Sequence, residues 1–296
     1  MAATATTTTT LTEMVQAEVL NQAIKDYLID ANVIMPIVEY QSIAGKNTKA
    51  LSTILITKDT GADITEGTAM TVDDLDSSDV SITVAQVGIY RQVTEFVSQT
   101  NMLGKDGLFN LVVNDGIALV LEMVEDDLAA LFASATGATV GTSGVDMSVT
   151  DFVTAVAKMR TIKVRGKYVC VLDDQQGLDF MNAVAASTAA VLGGNGVDQS
   201  VLNAGSDGYL GSFMNVPIWV TNLTDTANAG ADVVGSMFSA PGGPKNHSPY
   251  TLAELWGPKV AYLEEPTLPS YQISTTMAYG VGITHPTAAI KIVTDA

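Results

Sequence analysis

The sequence predicts an α+β fold, and three stretches of the chain carry that reading. The last third runs through 208–221 (GYLGSFMNVPIWVT), 257–265 (GPKVAYLEE) and 271–293 (YQISTTMAYGVGITHPTAAIKIV), each reading as extended chain that ends at a Gly or Pro corner. Residues 107–135 carry the strongest helical signal: Leu108, Leu111, Val112, Ala118, Leu121, Val124, Leu128, Leu131 and Phe132 fall mostly three and four apart. Between them, the order helix, strand, helix over 150–184 marks a small α/β unit.

Taken in order, residues 1–10 are a low-complexity Thr tract, expected to be mobile. Residues 11–29 show helical spacing at Leu11, Met14, Val15, Val19, Ala23 and Leu28, and Pro36 soon interrupts it, so this is a short helix on an arm. Residues 33–43 read as extended. Residues 48–57 (TKALSTILIT) and 79–87 (DVSITVAQV) are β-rich runs joined by a long Gly- and Asp-rich excursion, which makes a large hairpin. An isolated two-stranded hairpin is marginal in water, so it needs a surface to lie on, and a neighbouring subunit would serve. Residues 89–97 (IYRQVTEFV) continue as a strand.

The helix over 107–135 would span roughly 40 Å at about 1.5 Å per residue. Asp106 is placed to cap its start and Gly137 to end it, and Gly116 is its weak point, worth about 1 kcal/mol against Ala. Residues 137–148 read as a Gly/Ser/Thr loop, 150–162 as a capped amphipathic helix, 168–172 (YVCVL) as a buried strand, and 173–184 as a helix with acidic residues in its first turn, where the helix dipole favours them. Residues 187–207 are a Gly-rich loop, and 223–256 read as a second irregular stretch punctuated by Pro241, Gly242, Gly243, Pro244 and Pro249.

Composition narrows the function. With 296 residues the chain holds two ordinary domains or one elongated body with insertions. Hydrophobic residues make up 47% and charged residues only 16%, which argues against disorder and for a surface partly meant to be covered by neighbours. The net charge is 14 − 32 = −18, so sequence-specific nucleic-acid binding is disfavoured; the one dense basic stretch is 158–167. The single Cys170 lies in an apolar run and reads as a small buried hydrophobe, so no disulfide forms within the chain. The N-terminus lacks the basic and apolar regions of a secretory signal, and no uncharged apolar run reaches about 18 residues, so no membrane span is expected. The sequons at Asn222 and Asn246 are then chance matches.

A search for chemistry returns little. His247 lies in a Gly/Pro loop and His285 precedes Pro286, and neither has the partners a triad or metal site requires. Gly193-Gly194-Asn195-Gly196 and Gly280-Val281-Gly282 lack the strand–turn–helix context of a dinucleotide loop, and 141–144 is no nucleophile elbow. Acidic groups remain at Asp73, Asp74 and Asp76, at Glu125, Asp126 and Asp127, at Asp173 and Asp174, and at Glu264 and Glu265. Their spacing matches no Ca²⁺ loop, so they read as solvated faces or contact surfaces, with a divalent ion shared between subunits as the alternative. No cofactor is expected.

The order of segments resembles the major capsid protein of tailed double-stranded-DNA bacteriophages, whose fold is similar to that of encapsulins and of the herpesvirus capsid floor. The residues that carry the resemblance are 62–67 (ADITEG), like the glutamate–glycine turn of the extended loop; 108–135, like the spine helix; 168–180, like the strand and helix of the axial domain; 211–219 (GSFMNVPIW), like the glycine and apolar–proline strand; and 279–293, like the closing strand pair. The resemblance implies an N-terminal arm over 1–43, an extended two-stranded loop over 44–88, a peripheral domain over 89–148 and 255–296, and an axial α/β domain over 149–254.

It also implies a non-enzymatic structural subunit of the virion, assembled in the host cytoplasm. Such a subunit forms pentamers and hexamers with its own copies and encloses DNA in an acidic lining. Portal, scaffolding and decoration proteins are further partners it suggests; no long charged helical segment precedes the arm, so a fused scaffolding region is not expected. Ile64, Glu66, Gly67, Asp73 and Asp74 of the extended loop are the implied intersubunit contacts. Some relatives join subunits covalently through a Lys and an Asn, and no positions here match those. Two other readings stand beside this one: an encapsulin-like nanocompartment shell, and an acidic hydrolase using paired carboxylates.

Overall fold

In a computed structural model of the chain, described over residues 32–56, 77–100, 104–164, 166–186, 208–241, 248–265 and 269–296, the α/β unit forms around strand β6 (Tyr168–Asp173). Val169 and Val171 alternate with Cys170 and Leu172, and all four are buried, so the strand is covered on both faces. It lies at the centre of a mixed seven-stranded sheet. On one side β10 (Asp232–Ser239) runs antiparallel to it, followed by β13 (Ala289–Asp295) and then β5 (Ala138–Val140), with β9 (Thr226–Ala227) also against β10. On the other side come β8 (Val216–Thr221), parallel to β6, and β7 (Tyr209–Phe213) at the edge. The β7–β8 turn is Met214–Asn215, both with positive φ (51° and 64°), the backbone of the primed turns that match strand twist.

Two helices cover one face. Helix α3 (Val149–Thr161) starts at a capping box: the Ser148 hydroxyl accepts from Asp151 N at 3.2 Å, and the Asp151 carboxylate accepts from Ser148 N at 3.1 Å. Helix α4 (Asp174–Ala186) follows β6 directly. Phe152 of α3, Phe180 of α4 and Phe213 of β7 meet with ring centroids 5.1–5.5 Å apart, sealing a core that includes Cys170, Leu172 and Met237.

The other face receives the long helix α2 (Gly104–Ala130, 27 residues), extended by a 3₁₀ turn over Leu131–Ser134. Val120, Val124, Leu128 and Phe132 form its fully buried stripe, against Val169, Val171, Val234 and Phe238 of the seven-stranded sheet and Tyr250, Leu252 and Met277 of a second sheet. That second sheet is four-stranded. It joins β1 (Glu39–Ser42), β11 (Tyr250–Glu265), β12 (Ser270–Ile283) and β4 (Ala85–Thr94) in that order, β1 parallel to β11 and the rest antiparallel. The ladder of β11 with β12 shifts register at Glu254–Trp256 and again before Lys259, where Gly257 and Pro258 interrupt pairing. Strands β2 (Ala50–Ile56) and β3 (Ser77–Thr83) pair antiparallel as a separate two-stranded ribbon.

Several expectations change. The strand over 89–97 ends at Thr94, where Glu95 opens helix α1 (Glu95–Thr100) with Thr94 Oγ1 accepting from Val97 N at 3.4 Å. The loop over 137–148 contains β5, and the irregular stretch over 223–256 contains β9, β10 and the start of β11. Residues 289–295, grouped by sequence with the peripheral strands, are hydrogen-bonded into the sheet of β6 and β10. Helix α2 starts at Gly104, so Asp106 lies within its first turn instead of capping it. Gly116 is a close approach more than a weak point: a Cβ there would meet Thr275 Oγ1 at 2.7 Å. Residues 107–134 are long and apolar enough to cross a membrane by length and composition, which the sequence reading did not anticipate; here that segment is built into the body between two sheets.

Candidate assembly surfaces

Three features stand out on this body. The first is the seat of the 3₁₀ turn at the start of the described chain. Glu125 is only 2% exposed, and its carboxylate accepts from Ile34 N at 2.8 Å (Oε2) and Met35 N at 2.9 Å (Oε1). It thereby holds the 3₁₀ turn over Met35–Ile37 on helix α2, while Ile34 and Val38 bury in the core beside Val124 and Leu128. The start of the described chain is therefore fixed to the body by a charged, two-donor contact. The expected arm helix over 11–29 lies outside the described residues.

The second feature is the β2–β3 ribbon. Its base is seated: Ile82 and Leu51 pack with Ile43, Ala253 and Ala278 on the four-stranded sheet. The pair Gly280 and Gly282, which is no phosphate loop, makes this possible. A Cβ on Gly280 would stand 2.3 Å from Thr83 O, and one on Gly282 2.6 Å from Ile82 Cγ1. Beyond the base the ribbon is bare, with Ile54 exposed at 69%. The predicted contact residues Ile64, Glu66, Gly67, Asp73 and Asp74 lie outside the described residues.

The third is the far end of the four-stranded sheet. Phe109 of α2 makes edge contacts with Tyr262 and Tyr271 (centroids 5.6 and 5.2 Å), and those two tyrosines stack at 5.8 Å. Tyr262, Leu263 and Val260 stay exposed on the same stretch of β11, and Phe96 of α1 is exposed at the same end, where Thr94 pairs with Ser270.

Several of the described acidic groups bond within the fold, and Asp76 lies outside the described residues. Asp127 Oδ2 accepts from Tyr279 OH at 2.6 Å, and the carboxylate together with burial raises the Tyr279 phenol well above its ordinary range. Asp173 accepts from Gln175 N at 2.9 Å and from Thr224 Oγ1 at 2.6 Å, which caps α4. Glu264 accepts from Tyr262 OH at 2.9 Å. Asp115 of α2, missed by sequence, forms an ion pair with Arg91 of β4. Among the described residues no group of three or more His, Cys, Asp or Glu is placed to hold a metal. His285 precedes the 3₁₀ turn over Pro286–Ala288, its carbonyl accepting from Ala288 N at 2.9 Å; His247 lies outside the described residues. Burial pushes the Cys170 thiol far above its usual range.

A long helix set between a mixed α/β sheet and a four-stranded sheet, with a separate two-stranded ribbon, is the fold of phage capsid proteins, shared with an encapsulin. The structures it matches include the capsid of cyanophage P-SCSP1u (TM-score 0.67, 10% identity, covering 96% of this chain and 94% of that one) and the cyanophage Pam1 capsid asymmetric unit (TM-score 0.65, 14% identity, 100% and 99%). The holo-SrpI encapsulin complex of Synechococcus elongatus matches at TM-score 0.65 and 10% identity, over 99% of this chain and 96% of that one. No family model matches the sequence, and no curated protein matches it.

Proposed function

We propose that this chain is the structural subunit of an icosahedral viral capsid, that it self-assembles into pentamers and hexamers enclosing double-stranded DNA, and that it has no catalytic role. The observation that carries this is the end-to-end likeness to capsid structures, 100% of this chain on 99% of the matched chain of the Pam1 capsid asymmetric unit. In this reading the arm over 1–43 and the loop over 44–88 lie on neighbours, with Ile64, Glu66, Gly67, Asp73 and Asp74 as contacts. The spine helix with its strands forms the peripheral domain, and the unit over 149–254, completed by residues 289–295, is the axial domain. Tight shells arise from many weak contacts because each subunit has several neighbours. The protein would act in the virion after assembly in the host cytoplasm, and portal, scaffolding and decoration proteins are further partners of such a shell.

The encapsulin match supports a second reading, a nanocompartment shell closing around a protein cargo. Negative-stain microscopy and sedimentation of the expressed chain test both readings. Closed particles of uniform diameter are expected, and a stable monomer of 30.9 kDa would overturn the proposal. Deleting 60–78 should leave a folded subunit that assembles poorly; wild-type particle yield from the deletion would remove the loop's role. Shells that form only with a co-expressed host protein inside would favour the nanocompartment.

A further inference from the structure

The unit built on the seven-stranded sheet carries opposite charge at its two ends, and strand direction sets this. β6 closes at Asp173, and β10 runs against it with Ser239 beside Tyr168 and Ser236 beside Val171, so Asp232 at the start of β10 stands at the Asp173 end. Asp232 pairs with Asp295 at the finish of β13. Loops close the same end: Gly144 N donates to Asp232 Oδ1 at 2.9 Å, Asp295 N donates to Val145 O at 3.1 Å, and Val234 N donates to Asp225 O at 3.1 Å. Asp146 and Asp225 are exposed there, and Asp151 and Asp174 sit in the first turns of α3 and α4 at that end. Burial first, and then the neighbouring Asp146 and Asp295, hold the Asp179 carboxyl above its ordinary range.

Helix α3 runs to the opposite end. Its last turn carries Lys158 and Arg160, and the connection into β6 carries Lys163 and Lys167, with Arg165 between them in sequence. The Lys167 carbonyl accepts from Ala240 N at 2.8 Å, which places this connection at the close of β10. Among the described residues, none of the segments that reach this end, 152–170, 180–186, 212–218, 236–241, 134–139 and 284–290, carries an acidic residue. The one other described cation of the unit, Lys291, is mid-strand beside Ser236. First-turn Asp and last-turn Lys and Arg satisfy the helix dipole of α3 by themselves. That does not account for Asp146, Asp225, Lys163 and Lys167, which lie outside the helices.

The six residues of β6 separate the two poles by roughly 20 Å at about 3.3 Å per residue. Two copies related by a two-fold axis through either pole would set like charge on like. A head-to-tail contact sets unlike charge together and closes into a ring when the rotation permits. We propose that copies of this chain meet head to tail through this unit, the Lys158–Lys167 end of one subunit against the Asp146 and Asp225 end of the next. This rests on the shell-subunit reading above and deepens it by naming one contact within the ring.

The test uses the full chain in two variants, K158E/R160E/K163E and D146K/D225K, each checked for folding by circular dichroism. Alone, each is expected to give at least tenfold fewer particles than wild type in low salt. Mixed one to one, they are expected to recover co-assembly into six-membered rings, where the two variants can alternate so that unlike ends again face each other; a five-membered ring keeps at least one like-charged contact. Wild-type assembly is expected to weaken between about 0.1 and 1 M salt, as the screening length falls from about 10 to 3 Å. Should the glutamate triple variant fail to fold, the neutral K158Q/R160Q/K163Q variant is expected to lose both yield and salt sensitivity. Wild-type yield from the triple variant overturns the contact, and so does a mixture that forms no more six-membered rings than either variant alone. If the triple variant forms normal particles that have lost only their nucleic acid, the basic end is a phosphate site and the proposal is overturned. Wild-type chains that never assemble overturn the shell reading instead.

Discussion

Gly116 offers a measurement in which two effects of known size oppose each other. In a helix whose neighbours are distant, Gly→Ala stabilises by about 1 kcal/mol, because alanine loses less backbone freedom. Here the new Cβ would stand 2.7 Å from Thr275 Oγ1, 3.3 Å from Thr275 Cβ and 3.4 Å from Ile89 Cγ2. Thr275 is 1% exposed and β-branched in mid-strand, so it has no free rotamer to retreat to. Overpacking of this kind costs about 1–3 kcal/mol. Subtracting the helix gain, Gly116→Ala should destabilise by up to about 2 kcal/mol, read as a lowered denaturation midpoint or a fall in melting temperature of several degrees. The control is Thr275→Ala, which removes the obstructing hydroxyl and methyl. In that background Gly116→Ala should recover the gain of about 1 kcal/mol, a coupling of about 1–3 kcal/mol between the two sites. A single Gly116→Ala variant more stable than wild type would refute the close approach of α2 to β12.

Three further outcomes are expected. Glu125→Gln leaves one acceptor oxygen for two backbone donors, so losing one charged hydrogen bond worth about 1.5–3 kcal/mol should speed chymotryptic cleavage at Tyr40 by about tenfold or more, and an unchanged digest would count against the clamp. Gln176, fully buried, donates to Val233 O, Ile292 O and Thr294 Oγ1 and accepts from Asp173 N; Gln176→Ala should cost about 3 kcal/mol or more in urea titration, and a loss below 1 kcal/mol would show that the network is dispensable. Asp179 binds its proton more tightly folded than unfolded, so its ionisation opposes folding as pH rises through the folded value. Asp179→Asn should therefore melt higher than wild type at pH 7, with the difference vanishing below about pH 4, and a difference that grows in acid would reverse the assignment.

What the sequence made legible follows from how local each signal is. Helix α2 was readable because its buried stripe recurs every three or four residues, and α3 because Phe152, Ala155, Val156 and Met159 do the same; its capping box at Ser148 and Asp151 begins two residues before the start read from the sequence. β6 was readable as a short apolar run. β10 was not: all eight of its residues are buried, so nothing alternates, and Gly235 sits in its middle between Pro- and Gly-rich flanks. Helix α1 hid behind β-branched residues that continue the pattern of β4, and the β7–β8 turn hid because Met214–Asn215 lacks the usual glycine. Glu125 could only be read as one of three adjacent acids. Its role depends on backbone donors 90 and 91 positions away, and no spacing rule reaches that far.

The parallel pairing of β1 with β11 has a consequence in time. Glu39 sits beside Thr251, a separation of 251 − 39 = 212 residues, and Ser42 sits beside Glu254. At about 5–20 residues per second, a ribosome needs roughly 10–40 s to make that intervening length. Until then the N-terminal segment has no strand to zip onto and cannot take its final seat. Unfinished chains can therefore hold Ile34 and Met35 on Glu125 but lack the partner of β1, so the edge of the four-stranded sheet closes only after most of the chain has been made.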